Sequence, residues 1–120
     1  MEKNLINKES NNSDINFIIE KLTIQQLVDF STDPECDKQL SQEARQELIR
    51  RGMDNIQARI TIKKSCKSSI TDLEKLITNT QRQDNGRETL KSFKGKFLTS
   101  VSVLDKLQLE WQKHDLGIRA

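Results

Sequence analysis

The sequence predicts an all-α protein: a bundle of four to six helices with a long C-terminal amphipathic helix. One Pro and four Gly in 120 residues leave few points at which a helix must end. Lys, Glu, Gln, Leu and Arg are abundant, and all favour helices. Apolar residues recur at three- and four-residue spacing along most of the chain. Short connections between such helices favour antiparallel neighbours.

The composition predicts a thin core under a charged surface. Hydrophobic residues make up 33% of the chain and charged residues 32%, whereas an average domain is richer in the first and poorer in the second. Residues 1–12 are polar and lack periodicity, so we expect a disordered tail. Residues 13–120 are then a single helical domain.

The first helical region has two parts. Ser13 is a candidate N-cap, and the side chains that follow at i, i+3, i+4 and i+7 are Ile15, Ile18, Ile19 and Leu22. Thr23 and Gln26 then fit a capping box, and the apolar face continues to about Ser31. Two short helices with a bend, or one kinked helix, are both compatible with this pattern.

Asp33-Pro34 predicts the start of the next helix, because Asp caps well and Pro suits the first helical position. Gly52 predicts its end after Arg51, in the left-handed conformation that glycine adopts after many helices.

The middle of the chain predicts two further helices. Asp54 is expected to cap residues 55–64, and the polar, basic residues 63–69 are expected to interrupt the helix. Ser69 with Asp72 resembles a second capping box, so a new helix is predicted from Ile70. The sequence Asp84-Asn85-Gly86 is typical of a turn and ends it.

The last helix is predicted from Arg87 to about Asp115, with Gly117 as its stop. Its apolar positions follow alternating steps of three and four residues, a heptad seam: Leu90, Phe93, Phe97, Leu104, Leu107 and Trp111. The step between Phe97 and Leu104 is filled by Ser100. Such a helix is about 40 Å long at 1.5 Å per residue.

No set of residues points to catalysis. Cys36 and Cys66 are 30 positions apart and the lone His114 is distant in sequence, which is no zinc or Cys–His pattern. Phosphate-binding glycine motifs are absent. We therefore predict no enzyme, no catalytic residue, no metal and no cofactor. The longest apolar run has three residues, so we expect no membrane span and a cytoplasmic, reducing location.

Residues 15–49 resemble an F-box in their order of two short apolar helices, Asp33-Pro34 and a third helix. The Leu-Pro pair that opens that motif is absent at Asp14-Ile15, and no Trp follows near Gln46. No residue role is therefore carried over from the resemblance.

The first functional hypothesis is a non-catalytic protein-interaction module: an adaptor, a regulator or a subunit of an assembly. Its basis is the long seam combined with the thin core. Such a seam can pack against the chain's own helices as its core or against a partner, and aromatic anchors dominate interfaces. The predicted partner-binding residues are Phe97, Leu104, Leu107 and Trp111. They would meet another protein or a second copy of the chain.

The alternative hypothesis is nucleic-acid binding through the basic segment 45–67. Residues 42–70 carry seven Lys and Arg against three acids, a net charge of +4, whereas residues 1–41 have a net charge of −4. The predicted contacts are Arg59, Lys63, Lys64 and Lys67, which would bind phosphates regardless of sequence. The order of helices here is also loosely that of a helix-turn-helix.

Overall fold

The computed structural model describes residues 17–83 and 87–119. A helical turn at 17–21 precedes four longer helices: α1 (Ile24–Thr32), α2 (Lys38–Asp54), α3 (Ile56–Gln83) and α4 (Arg87–Arg119). These residues contain no strand, so the all-α class and the long C-terminal helix are confirmed. The predicted tail 1–12, the cap at Ser13 and the turn at 84–86 lie outside the described residues.

The helices form two layers. α1 and α2 run antiparallel, since Ser41 at the start of α2 donates to the carbonyl of Ser31, and Arg51 near its end donates to that of Glu20. α3 and α4 form the second antiparallel pair. The described chain measures 51 × 48 × 20 Å, and its smallest extent matches two helices of about 10 Å stacked on each other.

The core lies at one end of the α3–α4 pair, where α1 and α2 pack on it. Its buried apolar residues come from all four helices and include Leu27, Val28, Ala44, Leu48, Ile62, Cys66, Val103, Leu107 and Trp111. Towards the other end, no described residue from 67 to 99 is buried. We call residues 67–83 of α3 and 87–99 of α4 the arm.

The N-terminus of α1 matches the sequence. Thr23 Oγ1 accepts from the amide of Gln26 at 3.1 Å, and the Gln26 side chain accepts from the amide of Thr23 at 2.9 Å. This capping box satisfies two donors that the first turn leaves unpaired. Ile19 of the preceding turn is buried against the core, whereas Phe17 and Ile18 are exposed.

The predicted start of α2 at Pro34 is wrong by four residues. The Asp33 side chain accepts from the amide of Glu35 at 2.9 Å, which bends residues 33–36 into a turn. Asp37 then caps the helix through the amide of Leu40 at 3.1 Å. Two Asp residues compete for the cap, and the one that follows the turn takes the position.

The predicted helix end at Gly52 is also wrong, because α2 continues to Asp54. A methyl group built on Gly52 would overlap the indole of Trp111. The indole Nε1 donates to the carbonyl of Ile49 at 3.0 Å. Gly52 therefore serves close approach between α2 and α4 rather than a left-handed turn.

A single residue, Asn55, joins α2 to α3. Its amide donates to the carbonyl of Arg51, and its Oδ1 accepts from the amides of Gln57 and Ala58 at 2.8 and 3.2 Å. Asn55, not Asp54, is thus the cap of α3, and it also ends α2.

The predicted interruption at residues 63–69 does not exist, because α3 is one helix of 28 residues. No Gly or Pro occurs between Asn55 and Gln83. A continuous stripe of inward residues crosses the supposed break: Ile62, Cys66, Ile70, Leu73 and Ile77. The helix-turn-helix interpretation, which needed the break, is therefore wrong.

The heptad seam of α4 faces the protein interior, with burial that increases along it. Leu90, Phe93 and Phe97 are half-buried on the arm, while Leu104, Leu107 and Trp111 are buried in the core. The predicted stop at Gly117 is wrong, since α4 extends to Arg119. A glycine inside a helix costs only about 1 kcal/mol relative to alanine.

An ion cluster on α2 holds the helical turn at 17–21 in place. The buried carboxyl of Glu47 accepts from Arg50 and Arg51, and Arg51 also donates to the carbonyls of Ile19 and Glu20. Burial alone would raise the pKa of Glu47, but the two arginines outweigh it and hold that pKa below its usual value.

We expect Gly52→Ala to destabilise the fold by about 1–3 kcal/mol, because its methyl group would force Trp111 away from α2. Urea unfolding measures the change. The matched control is Gly95→Ala, also in a helix, where a methyl group meets no atom within 4 Å. We expect that variant to gain up to about 1 kcal/mol. Equal effects of the two substitutions would contradict the close contact.

We expect Glu47→Gln to lower the free energy of unfolding by about 1–3 kcal/mol near neutral pH. The buried side chain at position 47 would lose the negative charge that Arg50 and Arg51 contact. The folded-state pKa of Glu47 is depressed, so its contribution is present above the ordinary value of 4.5 and is lost as pH falls through the folded-state pKa. The difference in free energy of unfolding between wild type and variant should therefore become smaller as the pH falls.

Urea titrations at about pH 7 and about pH 3 test this narrowing. Glu43→Gln on the same helix is the control, because its carboxyl makes none of these bonds. A gap that stayed constant with pH would rule out the proposed role of the Glu47 charge.

Candidate interaction surface

A groove of about 380 Å³ runs between α3 and α4 at the core end of the pair. It is lined by two residues of α3 and five of α4: Arg59, Lys63, Gln108, Trp111, Gln112, Asp115 and Leu116. We call it the α3–α4 groove. It contains residues from both site predictions, Trp111 from one and Arg59 with Lys63 from the other.

Arg59 lies at the base of this groove and joins three helices. Its two terminal nitrogens donate to the carboxylate of Asp115 at 2.8 and 3.2 Å, and its Nε donates to the carbonyl of Gly52 at 3.0 Å. The guanidinium carbon lies 5.4 Å from the ring centre of Trp111, within the range of a cation–π contact. With its side chain only 14% exposed, Arg59 is structural rather than a free cation.

Three lysines on α3 carry positive charge beside the groove. Lys64 and Lys67 are exposed and Lys63 is half-exposed. Within residues 17–83 and 87–119, none of the three makes an ion pair. The Asp115 carboxylate in the groove is held by Arg59, so the uncompensated charge around the groove is positive.

Apolar side chains lie next to these lysines. Ile56 and Ile60 of α3 are 59% and 40% exposed, and Leu116 of α4 is 56% exposed. Positions 56, 60, 63 and 67 follow at i, i+4, i+7 and i+11, so they share one helix face. Leu116 approaches from the opposite wall, where it lines the groove with Lys63. We call Ile56, Ile60, Lys63, Lys67 and Leu116 the groove surface.

Charge is divided between the two layers. Residues 56–119 carry thirteen Lys and Arg against seven Asp and Glu, a net charge of +6. Residues 17–55 carry five against eight, a net charge of −3. The layer that contains the groove is therefore positively charged, and the layer behind it is negatively charged.

The residues predicted to bind a partner lie mainly in the core. Leu104, Leu107 and Trp111 are 8%, 0% and 2% exposed, and Phe97 is half-buried on the arm. The seam is covered by the chain's own α1 and α2, which removes these three as an accessible surface. α2 covers this part of α4 because it packs directly on Trp111.

The sequence analysis did not identify Ile56, Ile60 and Leu116 as exposed apolar residues. The signal was present in the periodicity: Ile56 and Ile60 lie off the stripe that joins Ile62 to Ile77. Two β-branched residues on a second face of the same helix indicate an apolar surface outside the core.

Of the four residues predicted for nucleic-acid binding, three remain accessible. Lys63, Lys64 and Lys67 lie along one helix, whereas Arg59 is held by Asp115 and Gly52. The structure thus divides this set into three surface cations and one structural arginine.

The two thiols are poorly suited to nucleophilic chemistry. Burial raises the pKa of Cys66 to about 11. Burial, and then the carboxylates of Asp33 and Asp37, raise the pKa of Cys36 above its usual value. Both cysteines are unpaired in the structure, and a thiol that stays protonated is a weak nucleophile.

The described residues lack both a cluster of metal ligands and a membrane-spanning helix. They contain no group of three or more His, Cys, Asp and Glu placed to hold a metal ion. No helix formed by residues 17–83 and 87–119 combines the length and apolarity needed to cross a membrane.

No protein-family model, curated protein or solved structure matches this chain. The resemblance of residues 15–49 to an F-box therefore gains no support from the comparisons.

Proposed function

We propose that the chain is a non-catalytic protein-interaction module that presents its α3–α4 layer to a protein partner. The observation that carries the proposal is the groove surface, where Ile56, Ile60 and Leu116 are exposed beside Lys63 and Lys67. An apolar centre with a charged rim is the usual anatomy of a protein interface.

The placement of these apolar residues supports the proposal further. Only 33% of the residues are hydrophobic, so each isoleucine on the surface is one apolar side chain fewer in a thin core. Single exposed apolar residues are ordinary, but neighbouring ones beside a groove mark an interaction site more often. The proposed contact surface is therefore the groove surface, not the buried stretch from Leu104 to Trp111 that the sequence predicted.

Site-specific photo-crosslinking in the native cells tests this proposal. A photoreactive residue at Gln112, exposed on the groove wall, should give discrete adducts with another protein. The same residue at Gln46, equally exposed on α2, is the control and should give none.

Ile60→Ser in the Gln112 crosslinking protein should abolish the adducts while circular dichroism remains helical, because Ile60 is on the surface. Adducts of the same masses from both positions, or none from either, would overturn the proposal.

Nucleic-acid binding is the second candidate, favoured by the charge division between layers. Lys63, Lys64 and Lys67 are accessible, make no ion pair among the described residues, and belong to the layer of net charge +6. Ammonium groups on one helix face bind phosphates without reading bases.

We expect the wild type, if this candidate holds, to bind labelled duplex or single-stranded oligonucleotides about tenfold or more tightly at about 50 mM than at about 200 mM salt. Changing Lys63, Lys64 and Lys67 together to Ala should weaken binding and flatten its salt dependence. The control variant changes Lys38, Lys106 and Lys113, three exposed lysines elsewhere, and removes the same charge. Absence of wild-type binding at low salt would end this candidate.

A further inference from the structure

We infer that the occupant of the groove surface is an amphipathic helix with acidic flanks, supplied by the protein partner. The inference rests on the proposed function and specifies the chemistry of the partner. It is carried by three lysines of α3 without ion-pair partners among the described residues and by three exposed aliphatic side chains. Ile56 and Ile60 share the helix face of Lys63 and Lys67, and Leu116 lines the groove with Lys63.

Charge complementarity selects an acidic partner over a basic one. The carboxylate that lines the groove belongs to Asp115 and is held by Arg59 at 2.8 Å. Lys63, Lys64 and Lys67 therefore present their charge to whatever docks there. A basic helix would face three cations of its own sign, whereas carboxylates on a partner would each gain an exposed ion pair.

The shape of the site suits a helix. α3 and α4 lie antiparallel with a groove between them, and a third helix packs along such a groove through residues at i, i+3, i+4 and i+7. Arg59 and Lys63 form the α3 wall of the groove. The exposed face of α3 beside it, from Ile56 to Lys67, spans three helical turns, about 16 Å at 1.5 Å per residue. A partner helix of similar length would cover both isoleucines and reach the lysines.

The order of residues along α3 fixes the polarity of the contact. Ile56 and Ile60 come first, together with Leu116 from α4, and Lys63, Lys64 and Lys67 follow within the next two turns. The apolar stripe of the partner therefore packs near the Arg59–Asp115 pair. Its carboxylates lie beyond that stripe, towards the arm.

The exposed aliphatic side chains favour an amphipathic helix over a nucleic acid as the occupant. Phosphates would satisfy the lysines, but a sugar–phosphate backbone would leave Ile56, Ile60 and Leu116 uncovered or against charged groups. An amphipathic helix satisfies both sets of side chains, which is why the geometry favours it.

Binding of synthetic peptides to the full-length protein tests the inference. The probe is a helical peptide with leucines on one face and glutamates flanking them. The comparison peptide keeps the leucines but has lysines in place of the glutamates. Fluorescence anisotropy at about 50 mM salt should show the acidic peptide binding and the basic peptide at least about tenfold weaker. A labelled DNA duplex and vesicles of anionic phospholipid are the two further probes.

Variants assign the binding to the groove surface. The triple change to Ala at Lys63, Lys64 and Lys67 should lower the affinity for the acidic peptide about tenfold, the combined effect of three exposed ion pairs. Ile56→Ser with Ile60→Ser should weaken it at least as much, because the apolar contact is lost. The triple change of Lys38, Lys106 and Lys113 to Ala should leave the affinity within about twofold.

Each outcome is decisive for the inference. Equal binding of acidic and basic peptides, or tighter binding of the duplex or the vesicles, would overturn it. So would an isoleucine variant that binds like wild type. If the acidic peptide fails while Gln112 still crosslinks to a protein, the partner chemistry is wrong and the proposed function stands. If the Gln112 adducts are absent as well, the proposed function fails with it.

Discussion

The seating of Trp111 against Gly52 is the constraint on which the arrangement of the helices depends. The indole occupies the space of the missing side chain and donates to the carbonyl of Ile49 at 3.0 Å. This sets how closely α4 approaches α2. Arg59 then packs over the same ring and reaches Gly52 and Asp115, which adds α3. One aromatic side chain thus positions three helices and, with them, both walls of the groove.

This joint explains why an exposed apolar surface exists beside the core. Trp111, Leu107 and Ile62 are buried in the shared core, so the face of α3 that carries Ile56 and Ile60 is turned outward. No other described element covers that face. Within the groove the charge of Asp115 is met by Arg59, so the lysines define the charge around it. The buried face and the exposed apolar face of α3 both follow from the same rotation of this helix.

The sequence was informative where local chemistry decides structure. The capping box of Thr23 and Gln26, the helical class and the seam of α4 follow from spacing alone. The errors arose where tertiary contacts compete with local signals. Gly52 has the composition of a helix end, but its role is set by Trp111, 59 residues later in the chain. The polar stretch 63–69 looks like a break until Cys66 is counted as an apolar core residue.

The location of the core at one end of the α3–α4 pair makes stability uneven along two long helices. From 67 to 99, no described residue is fully shielded from water, so separating the tip of the arm exposes little new apolar surface. Opening near Trp111 disrupts contacts among all four helices. We therefore expect amide protons of the arm to exchange through local fraying, and those around Ile62 and Leu107 to exchange only through global unfolding. Burial concentrated at one end of two long helices thus divides them into a cooperative segment around Trp111 and a segment that opens at a lower free energy.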